Sequence, residues 1–249
     1  MQNNKLPSVS VIIPTLNAGE SIEIAIRSVL QQKYPSLELI VIDGGSVEQE
    51  IQRILQYKES ISYFISEKDK GIYSAINKGI EASSNEWIYV LGADDRMASH
   101  DVISGMLCKA QSDTKLIFGN IQNENKRNPL VPSEFKSSFG NKIFCRNTLH
   151  QQGVFYHRSL FDSEVFNEER KVLADYELHL KLFLNKTKAI YRPMTVAVCS
   201  AAGVSKKFNW KLYKEEIDIK RMLLPLPLYG VSIVWIVAKY LIKKVIITK

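Results

Sequence analysis

The chain has 249 residues and 45% apolar content, which suits one large α/β domain, or a domain with an appendage, around a substantial core. Its net charge of +7 is uneven: residues 203–249 hold ten Lys/Arg against three Asp/Glu, so the first 202 residues are neutral. A neutral body with a basic, partly apolar tail argues against nucleic-acid binding, which calls for a basic face on the folded domain, and points first to an anionic membrane surface.

The polar N-terminus is followed by an apolar run, Val9 to Ile13, too short for a signal peptide. Residues 8–14 form an apolar run ended by a proline, the pattern of a buried parallel strand. Ile22, Ile26, Val29 and Leu30 share one face of a predicted helix over residues 20–32. A second buried strand spans residues 37–42 and ends in Asp43-Gly44-Gly45-Ser46. Ile51, Ile54 and Leu55 mark a helix, residues 63–65 a strand, and Ile72, Ile76 and Ile80 a third helix. Trp87 to Leu91 is the fourth strand. The alternation βαβαβαβ predicts an α/β fold, a mostly parallel sheet with helices on both faces.

The strand at residues 87–91 stops at Gly92-Ala93, small residues that let a backbone turn, and then come Asp94 and Asp95. By itself such a pair is also what a solvated turn or a helix cap looks like. But the other predicted strands end in polar residues too: Thr15 and Asn17, Asp43, and Glu67 to Lys70, including Asp69. In a parallel sheet these ends share one edge, where open α/β sheets bind ligands. Paired carboxylates there suit Mg²⁺ or Mn²⁺, which commonly take one or two carboxylates plus a substrate's phosphates. No Gly-x-Gly-x-x-Gly and no P-loop pattern is present.

Beyond Ser99, read as an N-cap, Val102, Ile103, Met106 and Leu107 predict a helix and residues 115–121 a strand, followed by a polar loop at 123–128. Strands are predicted at 153–157, 189–191 and 196–199. A helix lies within 172–184, with Leu178, Leu182 and Phe183 inward and Asp175 at its N-terminal end. A carboxylate in that place is also what a helix cap looks like. The cysteines Cys108, Cys145 and Cys199 are odd in number, far apart and without metal-type spacing, so they read as reduced, buried thiols of an intracellular chain. In the tail, residues 209–221 read as a charged amphipathic helix. Residues 222–238 carry no charge, are broken at the start by Pro225 and Pro227, and are followed by Lys239, Lys243 and Lys244. Two readings stand: a helix lying in a membrane interface, or one packed on the body.

Four ordered motifs resemble the family 2 glycosyltransferases: Val-Ser-Val-Ile-Ile-Pro-Thr-Leu-Asn at 9–17, Leu-Ile-Val-Ile-Asp-Gly-Gly-Ser at 39–46, Glu-Lys-Asp-Lys-Gly-Ile-Tyr-Ser-Ala-Ile-Asn-Lys-Gly at 67–79, and Leu-Gly-Ala-Asp-Asp at 91–95. The likeness continues more loosely through residues 150–156 and 173–176, and is strongest to bacterial enzymes that build surface polysaccharides. It implies a GT-A fold, with a nucleotide-binding half at 8–97, an acceptor-side half at 98–208 and a separate tail at 209–249. It further implies an inverting transfer from a nucleotide-diphosphate sugar, of which UDP is the expected nucleotide, to a glycan hydroxyl. The acceptor would be linked to a polyprenyl diphosphate at the inner face of the cell membrane, and a divalent metal would be the cofactor. By position, Thr15, Asn17 and Asp43 would hold the nucleotide, with Asp69 and Lys70 bordering the pocket. Asp94 would face the ribose, Asp95 would bind the metal, and Asp175 matches the catalytic base. Ser205 and Lys206 fall where a family loop closes over the donor. His150 would be either an acceptor contact or a structural histidine. The chain departs from the family pattern at Ser74 and Val47, where Asp is frequent. The rival function classes are a non-catalytic nucleotide-sugar-binding module, which would have no use for Asp175, and a scaffold that docks a partner through the tail.

Overall fold

Strand β1 (Val9–Thr15) is buried along its whole length, which is why its sequence is a continuous apolar run rather than an alternating one. It is the centre of the first half of the sheet in the computed structural model, which describes residues 6–124, 132–200 and 210–247, with side chains to 242. On one side lie β2 (Leu37–Asp43) and then β3 (Tyr63–Ser66); on the other lies β4 (Trp87–Val90). All these pairings are parallel, and their register sets Thr15 beside Asp43 and Asp43 beside Ser66. The predicted polar strand ends therefore do line one edge. Because chain order runs outward from β1 in one direction and then jumps to β4, a crevice opens between their carboxyl ends, the ligand position of open α/β sheets.

The helices α1 (Ser21–Leu30), α2 (Glu48–Leu55), α3 (Ile72–Ala82) and α4 (Val102–Leu107) join these strands and lead into the second half. That half is mixed. It holds β5 (Arg96–Met97), β6 (Leu116–Asn123), β7 (Glu134–Phe135) and β8 (Val154–His157). Helix α5 (Ala174–Leu184) then leads to β9 (Ala189–Cys199). The nine-stranded order is β3-β2-β1-β4-β8-β6-β9-β5, with β7 on β6. Strands β4 and β8 are antiparallel, as are β8 and β6, whereas β6 and β9 are parallel. One core joins α1, α2 and α4 to one face of the sheet, and a second joins α3 and α5 to the other. Fully buried side chains such as Ile12, Ile40 and Ile88 each contribute about 1.5–3 kcal/mol.

Four expectations are corrected. The strands predicted at 189–191 and 196–199 are one, β9; Pro193 stays within it because the β6–β9 register shifts around Asn120, where a missing N–H costs no ladder bond. The N-cap of α4 is Asp101, not Ser99. No disulfide joins the three cysteines among the described residues, and of them Cys199 is buried whereas Cys108 and Cys145 are exposed. Most of the predicted loop at 123–128 lies outside the described residues, and Asn123 itself ends β6.

The tail is two helices, α6 (Trp210–Leu223) and α7 (Leu226–Ile247). Helix α6 packs on the body: Ile219 and Leu224 join Ile143, Tyr176 and Leu180 in a third core. Glu216, itself buried, receives Lys220 at 2.8 Å and Lys239 of α7 at 2.8 Å. Burial lowers the Lys220 pKa against the pull of that carboxylate. Lys239 is thus turned inward rather than presented to a surface. Helix α7 still keeps an outward apolar stripe, with Leu228, Val231, Val234, Trp235, Leu241 and Ile242 exposed. Among the described residues no helix is long and apolar enough to cross a membrane.

Candidate active site at the carboxyl edge of the sheet

Asp43 ends β2 with no exposed surface. Its Oδ2 accepts from the N–H groups of Gly45 (3.2 Å) and Ser46 (3.0 Å) and from Ser66 Oγ (2.6 Å), and its Oδ1 accepts from Ser46 Oγ (2.5 Å). This carboxylate therefore builds the turn that follows β2. Asn17, in the left-handed region at φ 49°, ties the first loop to that turn: its N–H donates to Ser46 Oγ at 2.7 Å and its Oδ1 accepts from the Val47 N–H at 3.1 Å. Thr15 is buried, and its carbonyl accepts from the Gly44 N–H at 2.9 Å.

The loop after β3 packs against the same turn. A Cβ on Gly44 would stand 3.4 Å from Asp69 Oδ2 and 3.6 Å from the Thr15 carbonyl, so these three groups converge. Asp69 Oδ1 pairs with Lys78, which also reaches Glu67 at 2.6 Å. Asp69 Oδ2 is buried and, among the described residues, has no hydrogen-bond partner. An orphaned acceptor on a side chain only 6% exposed is expensive unless something completes it. Gly71, at φ 152°, starts α3 in a conformation open to glycine. Lys70 beside it is exposed. Ser74 is buried in the first turn of α3, and Val47 stands exposed at the N-cap of α2 without a side-chain cap bond, the place where an Asp would serve.

Asp94 and Asp95 fold back over Gly92. A Cβ there would lie 2.5 Å from Asp95 Oδ2 and 3.3 Å from Asp94 Oδ1, so only glycine lets both carboxylates come this close to the same backbone. Asp94 is exposed, while Asp95 is 7% exposed and its Oδ1 accepts from the Ser200 N–H at 2.8 Å. That bond fixes Asp95 from the end of β9. Two hard oxygen donors, one anchored and one open to solvent, fit a divalent cation shared with a diphosphate. Among the described residues no group of three or more His, Cys, Asp or Glu forms a cage.

Asp175 is the second residue of α5, whose N-cap position is Leu173; its carboxylate accepts from the first-turn N–H of Tyr176 and from its own N–H. Its Oδ2 accepts from Asn147 Nδ2 at 3.0 Å. Desolvation by the surrounding chain outweighs the bonds from the Tyr176 N–H, Asn147 and its own N–H, and raises its pKa from 3.8 to about 6. The segment ahead of it is tied to the first half of the sheet, because Tyr73 Oη of α3 donates to the Val172 carbonyl at 2.5 Å. Tyr176 packs inward and donates to the Ile143 carbonyl at 2.8 Å. His150 is half-buried, edge-on to Phe135 at 5.7 Å. Ser205 and Lys206 lie outside the described residues. Sequence reasoning did not find Asn147, Ser200 or Tyr73: the first two act from segments without periodicity, and the third reads as a core aromatic.

A family model described as "Glycosyl transferase family 2" matches residues 10–213. A PGL/p-HBAD biosynthesis glycosyltransferase of Mycobacterium bovis is 28% identical over 204 residues, covering 78% of this chain and 76% of that protein. The GalNAc(5)-diNAcBac-PP-undecaprenol beta-1,3-glucosyltransferase of Campylobacter jejuni is 30% identical over 200 residues, 75% of this chain and 62% of that enzyme. Among solved structures, residues 1–349 of S. aureus TarS with UDP-GlcNAc superpose at TM-score 0.66 and 19% identity, over 86% of this chain and 66% of that one. The mannosyltransferase PcManGT of Pyrobaculum calidifontis, with GDP-Man and Mn²⁺, superposes at TM-score 0.67 and 18% identity, over 93% and 69%. The chain spans 39% of a longer S. aureus TarS structure. At these identities the structures establish the fold, which is GT-A.

Proposed function

The chain belongs to glycosyl transferase family 2, and from that premise we propose that it is an inverting enzyme moving a sugar from a UDP-sugar to a hydroxyl of a lipid-linked glycan. The observation that carries this reading is Asp175, a desolvated carboxylate whose pKa lies near 6. A binding module has no use for such a group. A general base has, because at neutral pH it is ionised yet far more basic than an ordinary carboxylate.

In the proposed reaction Thr15, Asn17 and the turn built by Asp43 wall the nucleotide pocket, and Asp69 Oδ2 accepts a donor hydrogen there. Lys70 lies at the rim, and Ser205 and Lys206 are assigned to donor closure. Asp94 faces the ribose. Asp95, with Asp94 beside it, holds a Mg²⁺ or Mn²⁺. When bound, that ion neutralises charge developing on the leaving diphosphate. Asp175 accepts the proton of the attacking hydroxyl as the new glycosidic bond forms opposite the breaking bond to the diphosphate oxygen. The anomeric configuration therefore inverts, and no covalent sugar intermediate arises. Proton transfer of this kind is worth about 10²–10⁴-fold in rate.

The Campylobacter relative, named for an undecaprenol-linked acceptor, supports a polyprenyl-diphosphate carrier and a role in bacterial surface polysaccharide synthesis. The outward stripe of α7 supports peripheral attachment at the inner membrane face, where such a carrier resides. The test is a screen of nucleotide sugars with Mg²⁺ or Mn²⁺. Slow, metal-dependent release of UDP from a UDP-sugar is the expected result. Tight binding without turnover on any acceptor pool would favour a binding module.

A further inference from the structure

Leu173, at the N-cap of the helix that carries Asp175, makes no side-chain cap bond, so the N–H groups leading into α5 take an acceptor from elsewhere. They find one on the tail. Oε1 of Glu215, in α6, accepts from the N–H groups of Lys171, Val172 and Leu173 at 3.1, 3.2 and 3.0 Å. Three successive amides converging on one anionic oxygen form a nest, and charge-assisted bonds are roughly twice as strong as neutral ones. From the opposite side, Tyr73 holds the Val172 carbonyl. The backbone just ahead of Asp175 is thus gripped by side chains from two distant parts of the chain.

We propose that Glu215 is a positioning residue for general-base catalysis, fixing the approach to Asp175 and making the tail helix α6 part of what sets the reaction geometry. The inference rests on Asp175 being the base. Helix α6 is a firm platform for this task, since Glu216 binds Lys220 and Lys239 next to Glu215 and the Lys220 ammonium also donates to the Cys145 carbonyl. The ionisable groups acting on Asp175 are Tyr73 from α3, Tyr156 from β8 and Glu215 from α6. Both tyrosines are pushed well above their usual range by burial and stay neutral. Among these groups Glu215 supplies the charge, and that charge favours the protonated form of Asp175.

The test compares the full chain with Glu215→Gln, Glu215→Ala and Asp175→Asn, reading kcat, donor KM and the pH profile of kcat, with melting curves to confirm folding. Glu215→Ala is expected to lower kcat roughly 10–100-fold with donor KM unchanged, since a misplacement of about 1 Å can cost about 10²-fold. Glu215→Gln keeps the shape and an acceptor oxygen but loses the charge. Its kcat should fall less, and its acid limb should move to lower pH as Asp175 becomes easier to ionise. If Glu215→Ala fails to fold, Glu215→Gln alone decides. Wild-type kcat with an unmoved acid limb in Glu215→Gln overturns the proposal. Full activity in Asp175→Asn overturns instead the assignment of the base, and the Glu215 proposal with it.

Discussion

Replacing Asp175 with Asn should make the protein more stable at neutral pH while abolishing transfer. The carboxyl has a pKa raised from 3.8 to about 6 in the folded chain. At about 1.4 kcal/mol per tenfold change in a proton equilibrium, that rise corresponds to about 3 kcal/mol. Between these two values the folded protein holds a proton that the unfolded chain has lost. Stability therefore falls as pH rises from about 4 to about 6, and is flat above. The amide introduced by Asp175→Asn does not titrate, and its oxygen can still accept from Asn147, which donates to Asp175 in the native chain. The variant should match wild type near pH 4 and exceed it by up to about 3 kcal/mol above pH 7, or roughly 6–12 °C in Tm for a chain of this size. Thermal or urea unfolding at a series of pH values from 4 to 8 measures the difference directly. A gap that stays constant across that range, or a variant less stable than wild type at pH 7.5, would refute the claim that Asp175 is a desolvated carboxylate held for chemistry at the expense of the fold.

Two further outcomes follow from the geometry. Asp95→Asn keeps the bond to the Ser200 N–H but removes the charge proposed to hold the cation, so metal-dependent turnover and donor affinity should fall together; normal turnover at limiting metal would move the metal role to Asp94. Flotation with anionic liposomes at low salt should recover the intact chain, and Val234→Glu in the outward stripe of α7 should release it; an intact chain that stays unbound would remove the membrane reading in favour of a scaffold helix.

The first half of the sheet was legible in the sequence because local and global signals agree there. Buried parallel strands such as Val9–Thr15 read as apolar runs, and their polar termini could be placed on one edge from the βα alternation alone. The chain beyond β4 was less legible, since its organisation depends on long-range pairing. Strand β9 takes a proline through an irregular register that no periodicity reveals, and β8 gains its identity only by pairing antiparallel to β4 and β6. The same holds for the site. Asp94 and Asp95 announce themselves by adjacency. That Asp95 is anchored by Ser200 across a separation of 105 positions, and that Asp43 spends its oxygens on a turn, are facts of tertiary contact. In the tail, Lys239 reads as a flanking surface cation but is drawn inward by Glu216, because a buried carboxylate on α6 needs compensation.

The central claim is that Asp175 directs a single in-line displacement on a nucleotide-sugar donor. It is tested most directly by the anomeric configuration of the first product, read by proton NMR during turnover of an α-linked UDP-sugar with Mn²⁺. A β-linked product is expected, or β-configured free sugar where water is the acceptor, formed at the outset and before mutarotation. An initial α-configured product would contradict it.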